Sequence, residues 1–203
     1  MILLLGALTI GCVGTTGEQQ LSRSDLSTRS LGAAVSRSRT VNGITTTVRV
    51  VQNDRSPSNK EHGGPADKIA RPETSIEQLT IIVSLAPDGK QYKRDVMFAT
   101  ARNASEFREH AFDLNFNWPD KVRLHCDSST YAPVLSTLEN TYGLTKDRNA
   151  VLVFVPGSKN DPAFYRSEEF DIAIDNDVLG IGTQHFKFNR KDIERAFAQS
   201  TKS

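Results

Sequence analysis

A chain of 203 residues with 37% hydrophobic content has the size of one globular domain with extensions, and two full domains would be crowded into it. Its formal net charge of +1 argues against a nucleic-acid partner, because phosphate binding needs clustered Lys and Arg to release counterions. No run of about 18 apolar residues occurs, so no segment reads as a membrane-spanning helix.

The chain opens on "LLLGALTIGCVG", an apolar run from Leu3 that passes through small residues to Cys12, the first of two cysteines. An apolar stretch followed by small residues is the pattern of a secretory signal. Thr9-Ile10-Gly11-Cys12 resembles the lipobox of bacterial lipoprotein precursors, in which a cysteine follows a small residue. The resemblance implies that residues 1–11 are a signal peptide and that Cys12 is the lipid attachment site. It would carry a diacylglyceryl thioether and, after cleavage, an acyl chain on its new amino group. Two or more chains anchor a protein stably where one does so marginally. Val13 in place of Asp implies the outer membrane if the host is Gram-negative. No Lys or Arg precedes Cys12, so this reading expects a start further upstream. The alternative is a chance apolar N-terminus on a cytoplasmic domain.

Residues 12–75 read as a polar tether holding one strand. Residues 13–40 are rich in Ser, Thr, Gly and Arg with isolated Leu, too little apolar surface to offset the entropy of ordering. "GITTTVRVVQ" (Gly43 to Gln52) alternates β-branched residues as a strand does, and the prolines, glycines and mixed charges of Asn53 to Ser75 read as linker.

Residues 76–203 are expected to form the α/β domain. "QLTIIVSLAPDGKQYKRDVMFAT" reads as two strands joined at Pro87-Asp88-Gly89 in a β-hairpin. "NASEFREHAF" reads as a helix capped by Asn103, with Glu106 three residues on and Phe107 and Ala111 on one face. After the strand "KVRLHC", the stretch "DSSTYAPVLSTLENTYGL" has helical spacing at Tyr131, Val134, Leu135, Leu138 and Tyr142, with Gly143 suited to its end. "NAVLVFV" then reads as a strand buried on both faces, which makes a parallel pair with a right-handed crossover. "FDIAID" and "GTQHFKF" read as further strands, and "RKDIERAFAQ" as a final helix capped by Asn189 with Phe188 and Ile193 as a hydrophobic staple. The expected fold class is therefore α/β: a single two- or three-layer sandwich with a β-hairpin, a right-handed βαβ unit and a closing C-terminal helix.

The hairpin at Ile81 to Met97, the strand ending in Asp127, the nearby Tyr131 and "VLSTLENTYGL" leading into "AVLVFV" resemble the periplasmic domain of the ExbD/TolR biopolymer-transport family over residues 78–155. That family's motor chemistry uses a transmembrane acidic residue, which this chain lacks. The resemblance implies a periplasmic module that binds a partner or the cell wall. From Gln91 onward the order of elements is also similar to thioredoxin-like folds, with "CDSS" at Cys126 reading as CxxS. This second resemblance implies a monothiol protein using Cys126.

Cys126 is the only thiol left if Cys12 is lipidated. It reads either as a small buried hydrophobe or as a thiolate favoured at a helix N-terminus. Asp127, Ser128 and Ser129 after one strand, and Gly157, Ser158 and Lys159 after the next, form a candidate ligand edge at the carboxyl ends of parallel strands. Capping and turn formation are the competing use of the same residue types.

No cofactor or metal is expected. His62, His110, His125 and His185 lack ligand spacing, and "DNDVLG" at Asp175 to Gly180 puts Leu179 where a calcium ligand belongs. No nucleophile elbow, P-loop or zinc-protease motif is found. The sequence thus points to a membrane-anchored envelope lipoprotein acting as a non-enzymatic binding or assembly module. Its partners would be the membrane through the lipid anchor and an envelope protein or the cell wall. The alternatives are the monothiol protein and the cytoplasmic domain.

Overall fold

Ile44, Val48 and Val50 alternate with Thr45, Thr47 and Arg49 along one strand, and this period of two sends the first set into a core and the second set to the other face. A computed structural model describes residues 34–52, 76–89, 95–98, 100–139 and 145–200. The described residues form, in chain order, β1 (Ala34–Val41), β2 (Ile44–Val51), β3 (Leu79–Pro87), a 3-10 turn (Val96–Phe98), α1 (Ala104–Phe116), α2 (Trp118–Lys121), β4 (Val122–Cys126) and β5 (Ser129–Tyr131). There follow β6 (Leu135–Leu138), β7 (Arg148–Phe154), α3 (Pro162–Arg166), β8 (Glu169–Asn176), β9 (Gly182–Asn189) and α4 (Arg190–Ser200).

Two sheets result, one ordered β1-β2-β3-β7-β6 and the other β5-β4-β8-β9. Ile44, Ile81 and Leu152 of the first share one core with Leu124, Phe170, Ile172 and Phe188 of the second. Each such fully buried side chain contributes about 1.5–3 kcal/mol of transfer free energy. The α/β character, the layered sandwich and the closing C-terminal helix are as the sequence implied. Asn189 caps α4 by accepting the Lys191 N–H at 2.9 Å, and Phe188 and Ile193 are both buried. Asn103 caps α1 by accepting from Ser105 N and Glu106 N.

Three local expectations are corrected. Every strand pairing among the described residues is antiparallel, and β4 and β7 lie in different sheets, so the parallel βαβ unit is replaced. The segment expected to be its helix instead supplies β5, which pairs with β4, and β6, which pairs with β7. Apolar residues there fit helical spacing, but open strand edges on both sides offered backbone partners and tertiary pairing decided the outcome. Gly143, expected at that helix's end, lies outside the described residues. The "VLSTLENTYGL" helix on which the ExbD/TolR resemblance drew is β6 over its described strand residues.

The second correction concerns the hairpin. The strand β3 pairs with β2 and β7, and Val96 and Met97 form a buried 3-10 turn. That turn is held where Val96 N donates to Lys146 O at 3.0 Å and Asp95 pairs with Arg148. Residues 90–94 of the expected second strand lie outside the described residues. In this sheet β3's neighbour β2 instead forms a hairpin with β1, closed by Asn42 (φ 49°) and Gly43 (φ 73°). Asn-Gly with two positive φ angles is the favoured two-residue connection because its twist matches that of the strands.

The third correction follows from that hairpin. Residues 34–41, expected to be tether, pair along their full length with β2, and β2 pairs with β3. The packed unit therefore includes 34–52 and does not start at 76. Cross-strand hydroxyl pairs, Ser38 with Thr47 and Thr40 with Thr45, each at 2.8 Å, tie β1 to β2. The segments expected to be a signal peptide, the Cys12 attachment site and the rest of the tether and linker fall outside the described residues.

Candidate functional site

The expected ligand edge is brought together by a carboxylate that the sequence reading passed over. Asp161 precedes α3 and caps it by accepting the Phe164 N–H at 3.2 Å. The same carboxylate accepts from Gly157 N at 2.9 Å and from the Tyr131 hydroxyl at 2.9 Å. It thereby joins β5 to the loop after β7, so Ser129 and Gly157 belong to one end of the sandwich. Ser158 and Lys159 are exposed in that loop. Burial pushes the Asp161 carboxyl up, but the Gly157, Tyr131 and backbone donors outweigh it and hold the group below its ordinary value. Burial, then the Asp161 contact, pushes the Tyr131 hydroxyl up to about 12.

Asp127 and Ser128 are the two-residue turn of the β4–β5 hairpin, with Asp127 in the left-handed region at φ 50°. Ser167 Oγ lies 3.1 Å from Asp127 Oδ1 and 2.6 Å from Glu169 O. The anion-binding argument for this edge is corrected, because neither parallel strand ends nor a helix start at Ser129 exist there. What the geometry displays is a loop-ordering network.

Cys126 faces the core and is fully buried. Burial pushes its thiol up to about 12, against a smaller lowering by Arg190. It precedes a hairpin turn in an antiparallel sheet, so the helix N-terminus expected directly after it, and with it that support for a low thiol pKa, is replaced by a strand. Arg190, at the start of α4, instead spans the same end of the molecule. Its Nε donates to Ser167 O at 2.6 Å, Nη2 donates to Phe164 O, and the guanidinium lies 4.6 Å from the Phe170 ring centre.

The described histidines are dispersed. His125 Nδ1 stands 3.0 Å from Thr130 Oγ1, His185 Nδ1 3.0 Å from Asp171 Oδ2, and His110 Nδ1 3.4 Å from Met97 O. Among the described residues no group of three His, Cys, Asp or Glu side chains is placed to hold a metal ion. Asn176 Oδ1 accepts from Leu179 N at 3.2 Å and Leu179 is buried, which is turn chemistry.

An exposed aromatic surface that local structure does not explain lies on α1, besides the exposed Val134 and Leu135 at β6. Leu114 is buried, and Phe107 and Ala111 pack against the core. Phe112 and Phe116 project from the opposite side, 61% and 66% exposed, with ring centres 4.9 Å apart. Beside them is an open depression of about 610 Å³ lined by Ser105, Arg108, Glu109 and Asp113, with His110, Phe112, Asn117 and Val178 completing it. The sequence signal was available as Phe112-x-x-x-Phe116 on the face opposite Phe107 and Leu114. No family model, curated protein or solved structure matches the chain.

Proposed function

We propose that this chain is a lipid-anchored bacterial envelope protein whose sandwich acts as a non-enzymatic binding or assembly module. The observation that carries the binding role is the exposed Phe112–Phe116 pair beside the depression on α1. An aromatic pair that a helix turns to water, when its other face fills the core, exposes apolar surface that association would cover. The anchoring role is supported by Thr9-Ile10-Gly11-Cys12 at the end of an apolar run. The polar groups at the other end of the molecule are engaged in caps and turns, and Cys126 is shielded from solvent. Its partner on this reading is an envelope protein or the cell wall.

The test is intact mass and membrane fractionation of the chain expressed with its native upstream region, beside Cys12→Ser. The wild type is expected to lose residues 1–11, gain acyl mass and sediment with membranes, with the outer membrane if the host is Gram-negative. The variant is expected to do none of these. Both chains remaining uncleaved and unacylated would sink the anchoring role and leave the cytoplasmic alternative.

A further inference from the structure

We propose that the outward face of α1 is a self-association surface whose occupant is a second copy of this chain, packed about a two-fold axis parallel to the helix. The inference rests on the binding or assembly role and names its partner. At about 100° per residue, Ser105, Phe112 and Phe116 fall on one line of α1, with Arg108 on one flank and Glu109 on the other. All five are exposed. Asp113 is already paired with Lys121 at 3.0 Å, whereas Arg108 and Glu109 have no ion pair among the described residues. Among the described residues the face therefore offers one charge of each sign without an ion pair, on opposite sides of an aromatic line, with Arg108 Nε donating to Ala104 O of its own helix at 3.1 Å.

A two-fold contact is made by one patch with itself, so the patch must be complementary to its own copy. Rotation about an axis parallel to α1 exchanges the flanks. Arg108 of each copy then meets Glu109 of the other at nearly the same height, and Phe112 and Phe116 meet their counterparts along the line. An axis perpendicular to the helix would instead set Arg108 against Arg108. The depression takes in Arg108 as well as Glu109 and Asp113, so it presents both charges of the pair to the other copy. A lipid surface fits less well, because an interfacial helix carries a basic polar face and this one is mixed.

Rotation about an axis also preserves height along it. The Ala34 ends of the two β1 strands then lie at one height, and confinement by two lipid anchors raises the effective concentration, so that a small contact suffices.

The experiment is disulfide trapping of the full lipidated chain in phosphatidylethanolamine/phosphatidylglycerol vesicles, comparing Ser105→Cys with the exposed control Ser128→Cys. Ser105→Cys is expected to form covalent dimers at least about tenfold faster, and Phe112→Ser or Arg108→Glu on that background to remove the advantage. Mixing Arg108→Glu chains with Glu109→Arg chains, both carrying Ser105→Cys, is expected to restore it. Equal rates for Ser105→Cys and the control overturn the proposal, as does a rate indifferent to Phe112→Ser. A lipid occupant is read as Phe112→Ser weakening vesicle contact with no dimer in the parent, which also overturns it. If Cys12 is not acylated, the same trapping on the unlipidated full chain over a concentration series decides self-association independently of anchoring.

Discussion

Asp161 shows how one side chain can order three segments, since its two oxygens take the Gly157 N–H, the Tyr131 hydroxyl and the first turn of α3. Replacing Asp161 by Ala is expected to cost about 0.5–2 kcal/mol in urea unfolding, the usual range for a lost cap. Its folded-state pKa lies below the reference value of 3.8, so the stabilisation is present above that value and is lost as pH falls through the folded pKa. Wild type and Asp161→Asn should therefore converge in stability as pH drops below about 4. A gap that stays constant down to pH 2 would show that the carboxylate charge is immaterial. Cys126 carries a second prediction at this scale. In a Cys12→Ser chain, the thiol pushed up to about 12 is expected to resist an aromatic disulfide reagent at pH 8 until denaturant is added. Rapid stoichiometric labelling of the folded chain would return the monothiol role to consideration.

The element with the most local determination is the β1–β2 hairpin. Its turn needs positive φ at both central residues, and Asn42 and Gly43 are among the few residue types that tolerate this. The Asn42 amide also donates to Gly180 O at 2.7 Å, which fastens the turn to the β8–β9 connection. Gly43→Ala is expected to destabilise the chain by about 1–2 kcal/mol, because a Cβ in the left-handed region meets the following carbonyl oxygen. A thermal melt within experimental error of the wild type would mean that the turn relaxes to another type. The elements β5 and β6 represent the opposite case. Their sequence is compatible with a helix, and their strands exist because β4 and β7 present backbone groups that must be paired.

For the whole molecule, the decisive feature is that the first two strands complete the sandwich. Ile44, Val48 and Val50 of β2 are fully buried in the common core, and removing them would open the inner face of β3 as well as its backbone edge. Deleting residues 34–52 is therefore expected to leave a chain that aggregates or lacks cooperative unfolding, measured by circular dichroism and size-exclusion chromatography. A well-folded monomer from that deletion would restore the domain boundary at 76. The α1 surface lies outside this core accounting, so Phe112→Ser should change association without lowering the melting temperature.

The amino-acid sequence by itself determined the features that depend on neighbours along the chain. Asn103 and Asn189 as caps, the Phe188–Ile193 staple, the alternating strands at 44–51, 169–176 and 182–189, and the closing helix all follow from side-chain chemistry within a few residues. The Asn42-Gly43 turn is just as local in its chemistry but went unread, because strand 34–41 before it is hidden by its Ser and Arg content. Only the tertiary structure decided the antiparallel order of the sheets, the fate of residues 129–138, and which polar groups meet at Asp161. Those depend on pairings across tens of residues, whose energies no local pattern contains. The same reason accounts for the candidate site: residue types suited to anions were present at Asp127 to Ser129 and Gly157 to Lys159, but strand direction, set by distant pairing, assigned them to a hairpin turn, the start of β5 and a loop.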